Sequence, residues 1–141
     1  IIKNMTQKIK TVKITTNGQG FYEFTSEIIN YVNNEKIKIG LLTIFVKHTS
    51  CSLLIQENAD SDVQKDLLNF FSETVPENTD YIHQSEGADD MPAHIKSALT
   101  QTSLSIPIEN FEITLGTWQG IYLFEHRKSS HTRIIKLHLI V

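Results

Sequence analysis

The chain has 141 residues, enough to bury one sizeable core and too few for two. Its 40% hydrophobic, 21% charged and 9% aromatic residues are ordinary globular proportions, which argues against a disordered chain. Thirteen basic against 16 acidic residues leave a net charge of −3, and without a long basic run there is no electrostatic footprint for nucleic acid.

The opening "IIKNMTQKIKTVKI" is interrupted by lysine or polar residues every few positions, so it offers neither a signal-peptide core nor a membrane span. Met5 is a candidate natural start, with residues 1–4 then an extraneous remnant. "KIKTVKI" (8–14) reads as a strand with one wet face, and "TNGQG" turns the chain. "TSEIINYVNN" (25–34) predicts a short helix, and "KIKIGLLTIFVKH" (36–48) and "SLLIQE" (52–57) predict strands. In "NADSDVQKDLLNFFSETVP" (58–76) the apolar positions Val63, Leu67, Phe70 and Phe71 follow a helical period, with Asp60 as N-cap and Pro76 beyond the end.

A long polar loop (77–90) precedes a second helix opening at Pro92, where a missing N–H costs nothing. "SLSIPI", "FEITLGTWQGIYLFEHR" and "TRIIKLHLIV" read as three strands, with Pro107 placing the first at an edge and "KSSH" joining the last two. The order β-α-β-β-α-α-β-β-β predicts one α+β domain over residues 1–141, a largely antiparallel sheet with helices packed on one side. A lone cysteine, Cys51, forbids an intrachain disulfide and fits a cytoplasmic protein.

Four of six histidines, His48, His83, His94 and His126, stand near element ends or in the long loop, where sites are built. Three neutral imidazoles meeting at a point would form an open zinc-type site, with carboxylates orienting their free N–H groups. No H-E-x-x-H or C-x-x-C is present, so scattered surface or capping histidines are the competing reading. His94 sits in the first turn of a helix, whose positive end favours neutral imidazole. Asp89 and Asp90 suit a helix N-terminus for structural reasons alone, whereas Glu86, outside the helix, has no such explanation.

In "HTSCS" three residues of strand place His48 and Cys51 on opposite faces, so Cys51 reads as a small buried hydrophobe rather than a nucleophile. In "QENAD", Glu57 and Asn58 stand where a substrate hydroxyl or amine can be read, and Asp60 is the cap. The glycines of "GTWQG" suggest a bulge or the close approach of another backbone, and an unbroken strand would put Trp118, Tyr122, Phe124 and His126 on one face. Arg127 and Lys128 suit an anion, or are simply solvated in a hairpin.

Three long stretches, "HTSCSLLIQENAD", "HQSEGADDMPAHIKSAL" and "LGTWQGIYLFEHR", in that order, resemble the YjbQ-like family, also called secondary thiamine-phosphate synthase enzymes, from about residue 8 to the C-terminus. The family's motif histidines match His48, His83 and His94, and its E-H-R triplet matches Glu125, His126 and Arg127. The resemblance implies an α+β fold assembled as a homotrimer, with a histidine-lined pocket holding a metal ion. It also implies a weak thiamine-phosphate synthase activity that joins a pyrimidine diphosphate to a thiazole phosphate and releases pyrophosphate. Cys51 departs from the family's frequent alanine, and Phe111 replaces a common glycine.

The resulting expectation is an enzyme in which His48, His94 and His126, with His83, hold a divalent cation, zinc or magnesium. Glu57, Asp60, Glu86 and Asp90 would orient ligands or exchange protons, and Asn58, Trp118, Gln119 and Arg127 would contact a small phosphorylated metabolite. Metal-assisted hydrolysis of such a metabolite and a non-catalytic trimeric binding module are the alternatives.

Overall fold

The computed structural model describes residues 5–141, so the reading of residues 1–4 as extraneous lies outside the described residues. In chain order the elements are β1 (Gln7–Asn17), β2 (Gly20–Glu23), α1 (Thr25–Glu35), β3 (Ile39–Val46), β4 (Cys51–Glu57), α2 (Ser61–Thr74), α3 (Asp90–Leu99), β5 (Ser103–Glu109), β6 (Glu112–Ile113), β7 (Gln119–Glu125) and β8 (Ser130–Ile140). This is the α+β class and order expected, with two additions. The four-residue β2 follows the "TNGQG" turn, and the 111–127 stretch breaks into β6 and β7. Asn110 and Phe111, both at positive φ (51° and 69°), make the turn that folds β6 back onto β5. Phe111 thus holds a left-handed conformation that suits glycine.

The antiparallel strands form two sheets, ordered β1-β8-β3-β5-β6 and β2-β7-β4. Alternation in β8 buries Arg133, Ile135, Leu137 and Leu139, and that inward row sets the register of β1 on one side and β3 on the other. Pro107 lies in β5, whose outer side meets only the two-residue β6, so its missing N–H leaves little of the ladder unpaired.

The sheets face each other across one core. Leu42, Ile44, Ile106, Ile135, Leu137 and Leu139 from the large sheet meet Cys51, Leu53, Ile121 and Leu123 from the small one, and Ile28, Tyr31 and Val32 of α1 enter the same cluster. Each such aliphatic side chain contributes roughly 1.5–3 kcal/mol on burial, which offsets the desolvation of the ion pair Arg133–Glu125 enclosed beside them. α2 and α3 cover the other face of the small sheet. Phe71 packs edge-on against Phe124 at 5.2 Å, Gln64 donates to the Tyr122 hydroxyl at 3.0 Å, and the Ser97 hydroxyl donates to the Cys51 carbonyl at 3.1 Å.

Candidate functional site

α2 stops at Thr74 and the chain crosses the polar loop, fastened where the Tyr81 hydroxyl donates to the Pro76 carbonyl at 2.9 Å. Gly87, at φ 110°, makes the turn that delivers the chain to α3. The helix starts at Asp90, two residues before the predicted Pro92, and Asp89 precedes it in helical conformation with no side-chain cap. The acidic residues here are therefore not caps. Asp89 accepts from Arg127 Nε at 3.0 Å and from the Lys128 backbone N–H at 2.9 Å. Arg127 also donates to Asp90 Oδ1 (2.7 Å) and to the Glu86 carbonyl (2.9 Å), clamping the whole turn onto the end of β7.

This clamp turns the second oxygen of Asp90 toward two imidazoles. Oδ2 lies 2.7 Å from His83 Nε2 and 3.2 Å from His94 Nε2, and Glu86 Oε2 approaches His83 Nε2 at 3.8 Å. One potential ligand atom from each of His83, Glu86, Asp90 and His94 lies within 4.8 Å of the other three. His94 Nδ1 is 2.9 Å from the Thr49 carbonyl, which only accepts, so Nδ1 carries a proton and Nε2 is the nitrogen turned toward the centre. Exposure grades across the cluster, from 2% for the Asp90 side chain to 43% for His83 and 64% for Glu86, giving a buried floor and an open rim. Burial opposes ionisation of Asp90, but hydrogen bonds to His83 and then Glu86, with smaller contributions from the charges of His94 and Arg127, outweigh it and hold the carboxyl below its ordinary range.

A family model described as "UPF0047 protein YjbQ-like" matches residues 10–140. This chain belongs to the UPF0047 YjbQ-like family. It is 53% identical to a UPF0047 protein of Synechocystis sp. over 127 residues, covering 89% of this chain and 86% of that one. To UPF0047 protein YjbQ of Escherichia coli O157:H7 it is 46% identical over 127 residues, covering 89% and 92%. A solved structure of an uncharacterized conserved YjbQ/UPF0047 family protein from Clostridium acetobutylicum superposes with a TM-score of 0.81 at 34% identity, covering 92% of this chain and 97% of that one. A YbjQ-like protein of unknown function from Sulfolobus solfataricus P2 shares the fold with a TM-score of 0.89 at 21% identity, covering 97% and 99%.

The other residues singled out in this UPF0047 sequence lie elsewhere. His48 and His126 are outside the one group of metal-capable side chains found among the described residues. His48 Nε2 accepts the Ile134 backbone N–H at 2.8 Å, which occupies its lone pair, and burial followed by the nearby Arg133 charge lowers its pKa. His126 is 1% exposed, with Nε2 at 2.9 Å from the Ser52 hydroxyl, and burial pushes its pKa down to about 3. Arg127 is committed to Asp89, Asp90 and the Glu86 carbonyl instead of facing a substrate.

Glu57, Asn58, Trp118 and Gln119 stand at the far end of the small sheet. Cys51 pairs opposite Glu125 and Glu57 opposite Gln119, so six strand residues, about 20 Å, separate the two ends. There Asn58 and Gln119 border a cavity of about 400 Å³ with Thr25, Ile29 and Glu112. Asp60 caps α2, accepting from the Asp62 N–H at 2.9 Å. Trp118 does not share the face of Tyr122 and Phe124; it precedes β7 in a loop and is 62% exposed. Gly120 marks a close approach of side chains, not of backbone: a Cβ there would lie 2.8 Å from Glu23 Oε2 and 2.9 Å from Asn58 Cβ.

Two contributors escaped the sequence reading. Thr49 acts through its carbonyl, which no side-chain pattern announces, and Asp89 was weighed only as a cap. Cys51 is fully buried and its thiol is pushed up to about 12 by burial, so it supplies no thiolate. Cys51→Ala is expected to keep full turnover in any assay this protein supports. Lost turnover in a variant with an unchanged melting curve would restore a nucleophilic role.

Proposed function

We propose that this UPF0047 protein is a metal-dependent enzyme acting on a small phosphorylated metabolite, with a divalent cation held by His83, Glu86, Asp90 and His94. The observation that carries the proposal is the convergence of these four donors within 4.8 Å of one another. Their fit to a metal is supported by the atoms behind them. The Thr49 carbonyl fixes the His94 tautomer and the Arg127 guanidinium fixes the Asp90 carboxylate, the outer-shell arrangement metal ligands require. Two imidazoles with two carboxylates favour zinc over magnesium, which prefers oxygen ligands and water.

The reaction proposed is the one the family resemblance implies, coupling of a pyrimidine diphosphate to a thiazole phosphate with departure of pyrophosphate. A bound cation would neutralise charge on the diphosphate and ease its departure. Arg127 is already balanced by Asp89 and Asp90, so its part is to hold the ligand-bearing turn in place. The half-exposed rim formed by His83 and Glu86 admits water and favours hydrolysis of a phosphorylated metabolite as the second reading. A homotrimer belongs to the same proposal, supported by Ile39, Leu41 and Phe45 exposed on the uncovered face of the large sheet. So does a cytoplasmic location, consistent with one buried, unpaired cysteine and with no helix among the described residues long and apolar enough to cross a membrane.

The test is metal analysis of the untagged protein beside His94→Ala, followed by turnover assays. Stoichiometric zinc is expected in the parent, with affinity reduced about tenfold or more in the variant. Equal metal content in both removes His94 from the ligand set. Coupled product supports the synthase reading and free phosphate the hydrolase. Binding of the pyrimidine diphosphate with neither product leaves a non-catalytic binding module.

A further inference from the structure

On α3, Lys96 is only 7% exposed, although lysine is rarely buried without a partner. Its ammonium takes part in no ion pair or side-chain hydrogen bond among the described residues, and the carboxylates within electrical range are already engaged. Glu77 pairs with Lys128 Nζ at 2.5 Å and accepts from Gln19 at 3.3 Å, while Asp89 is held by Arg127 and the Lys128 N–H. A largely buried lysine whose ammonium has no anion beside it is a costly arrangement, and a ligand that supplies the anion relieves it.

Lys96 borders a pocket of about 230 Å³. Leu68, Phe71 and Phe124 give it apolar walls, and His126 forms part of its floor. The Nδ1 of His126 is the one buried side-chain polar atom among the described residues without a hydrogen-bond partner. The pocket is therefore lined both by Lys96, whose ammonium has no partner, and by the histidine that carries this unpartnered nitrogen. Glu125 also borders it, but the Glu125 carboxylate is bound by Arg133.

We propose that this pocket binds the carboxylate of a small organic acid, with Lys96 Nζ as its counter-ion and Leu68, Phe71 and Phe124 flanking its hydrocarbon part. His126 offers the second donor in the Nδ1–H tautomer, the one in which its Nε2 accepts from Ser52. Charge selects a carboxylate over a phosphate. His126 is neutral, so the lining provides one cation, matched to a monoanion, whereas a phosphate monoester carries about −1.5 to −2 at neutral pH. The site is separate from the His83–His94 cluster and does not depend on a metal there.

The test titrates the full-length protein with butyrate at constant ionic strength, following the His126 ring resonances by NMR and the heat by calorimetry. Saturable binding is expected in the parent and binding about tenfold or more weaker in Lys96→Met, which keeps the side chain's bulk and removes its charge. Ser72→Leu, which narrows the pocket from α2 and leaves Lys96 in place, is expected to weaken butyrate similarly, and it carries the test if Lys96→Met fails to fold. Inorganic phosphate is expected to bind more weakly than butyrate. The proposal is overturned by absence of saturable binding, by equal butyrate affinity in parent and variants, or by phosphate binding as tightly as butyrate.

Discussion

Arg133→Met is expected to cost about 3–5 kcal/mol of unfolding free energy at pH 7, because it strands a buried carboxylate. Glu125 is fully buried and accepts from Arg133 Nε (2.8 Å), Arg133 Nη2 (2.5 Å) and Thr16 Oγ1 (2.5 Å), with the His126 N–H at 3.1 Å. Burial alone would raise the Glu125 pKa, but the hydrogen bonds from Arg133 and Thr16 reverse this and hold it below the ordinary value of 4.5. A carboxylate lowered on folding contributes stability that is present above its unfolded pKa and lost as pH falls through the folded one.

Without Arg133 the balance inverts: burial dominates, the Glu125 pKa rises, and the variant should gain stability relative to the parent on acidification toward pH 5. Thermal and urea unfolding at pH 7 and pH 5 would show both effects, with a melting-temperature drop on the order of 10 °C at pH 7. Adding Glu125→Leu should restore most of the loss, since an apolar replacement of both partners removes the stranded charge. A single variant within about 1 kcal/mol of the parent would mean that water or a rearranged neighbour satisfies Glu125, contrary to the buried pairing described.

Asp90→Asn should abolish metal binding more completely than any other single change in the cluster. Its Oδ2 is the atom nearest both imidazoles, its side chain is 2% exposed, and asparagine keeps the shape while removing the charge that offsets a dication. The asparagine carbonyl can still accept from Arg127 Nη1, so the turn and α3 should remain in place and the melting curve should move little. Zinc affinity, measured by competition with a chromophoric chelator, should fall by more than about 100-fold, with turnover falling in parallel. Glu86→Gln, at the exposed rim and 3.8 Å from His83, should cost far less. An Asp90→Asn protein that retained zinc within about tenfold of the parent would remove the metal centre from the proposal.

Much of the candidate site could be read because it is local in sequence. Glu86, Asp90 and His94 recur every four residues across the loop-to-helix junction, and His83 lies in the loop just before them, so "EGADDMPAH" holds most of the cluster within one short stretch. The helical period of α2, its Asp60 cap and the alternation along β5 and β8 were legible for the same reason. β2 was too short to show a pattern, and the turn between β5 and β6 depends on positive φ at Asn110 and Phe111, neither of them glycine.

The chain's own pattern was sufficient for the α+β class, the order of its elements and the link between a carboxylate-rich loop and His94, because hydrophobic period and turn residues act over a few positions. Which histidines meet was decided only by the folded sheets. The antiparallel register of β4 and β7 sends Glu57 and Asn58 to one end, about 20 Å from His126, and the Ile134 N–H takes the lone pair of His48. Arg127 looks free in sequence and becomes a clamp because β7 ends beside Asp89 and Asp90. Contacts between residues far apart in the chain follow from strand pairing and packing, and a single sequence encodes those through its whole core rather than through any one motif.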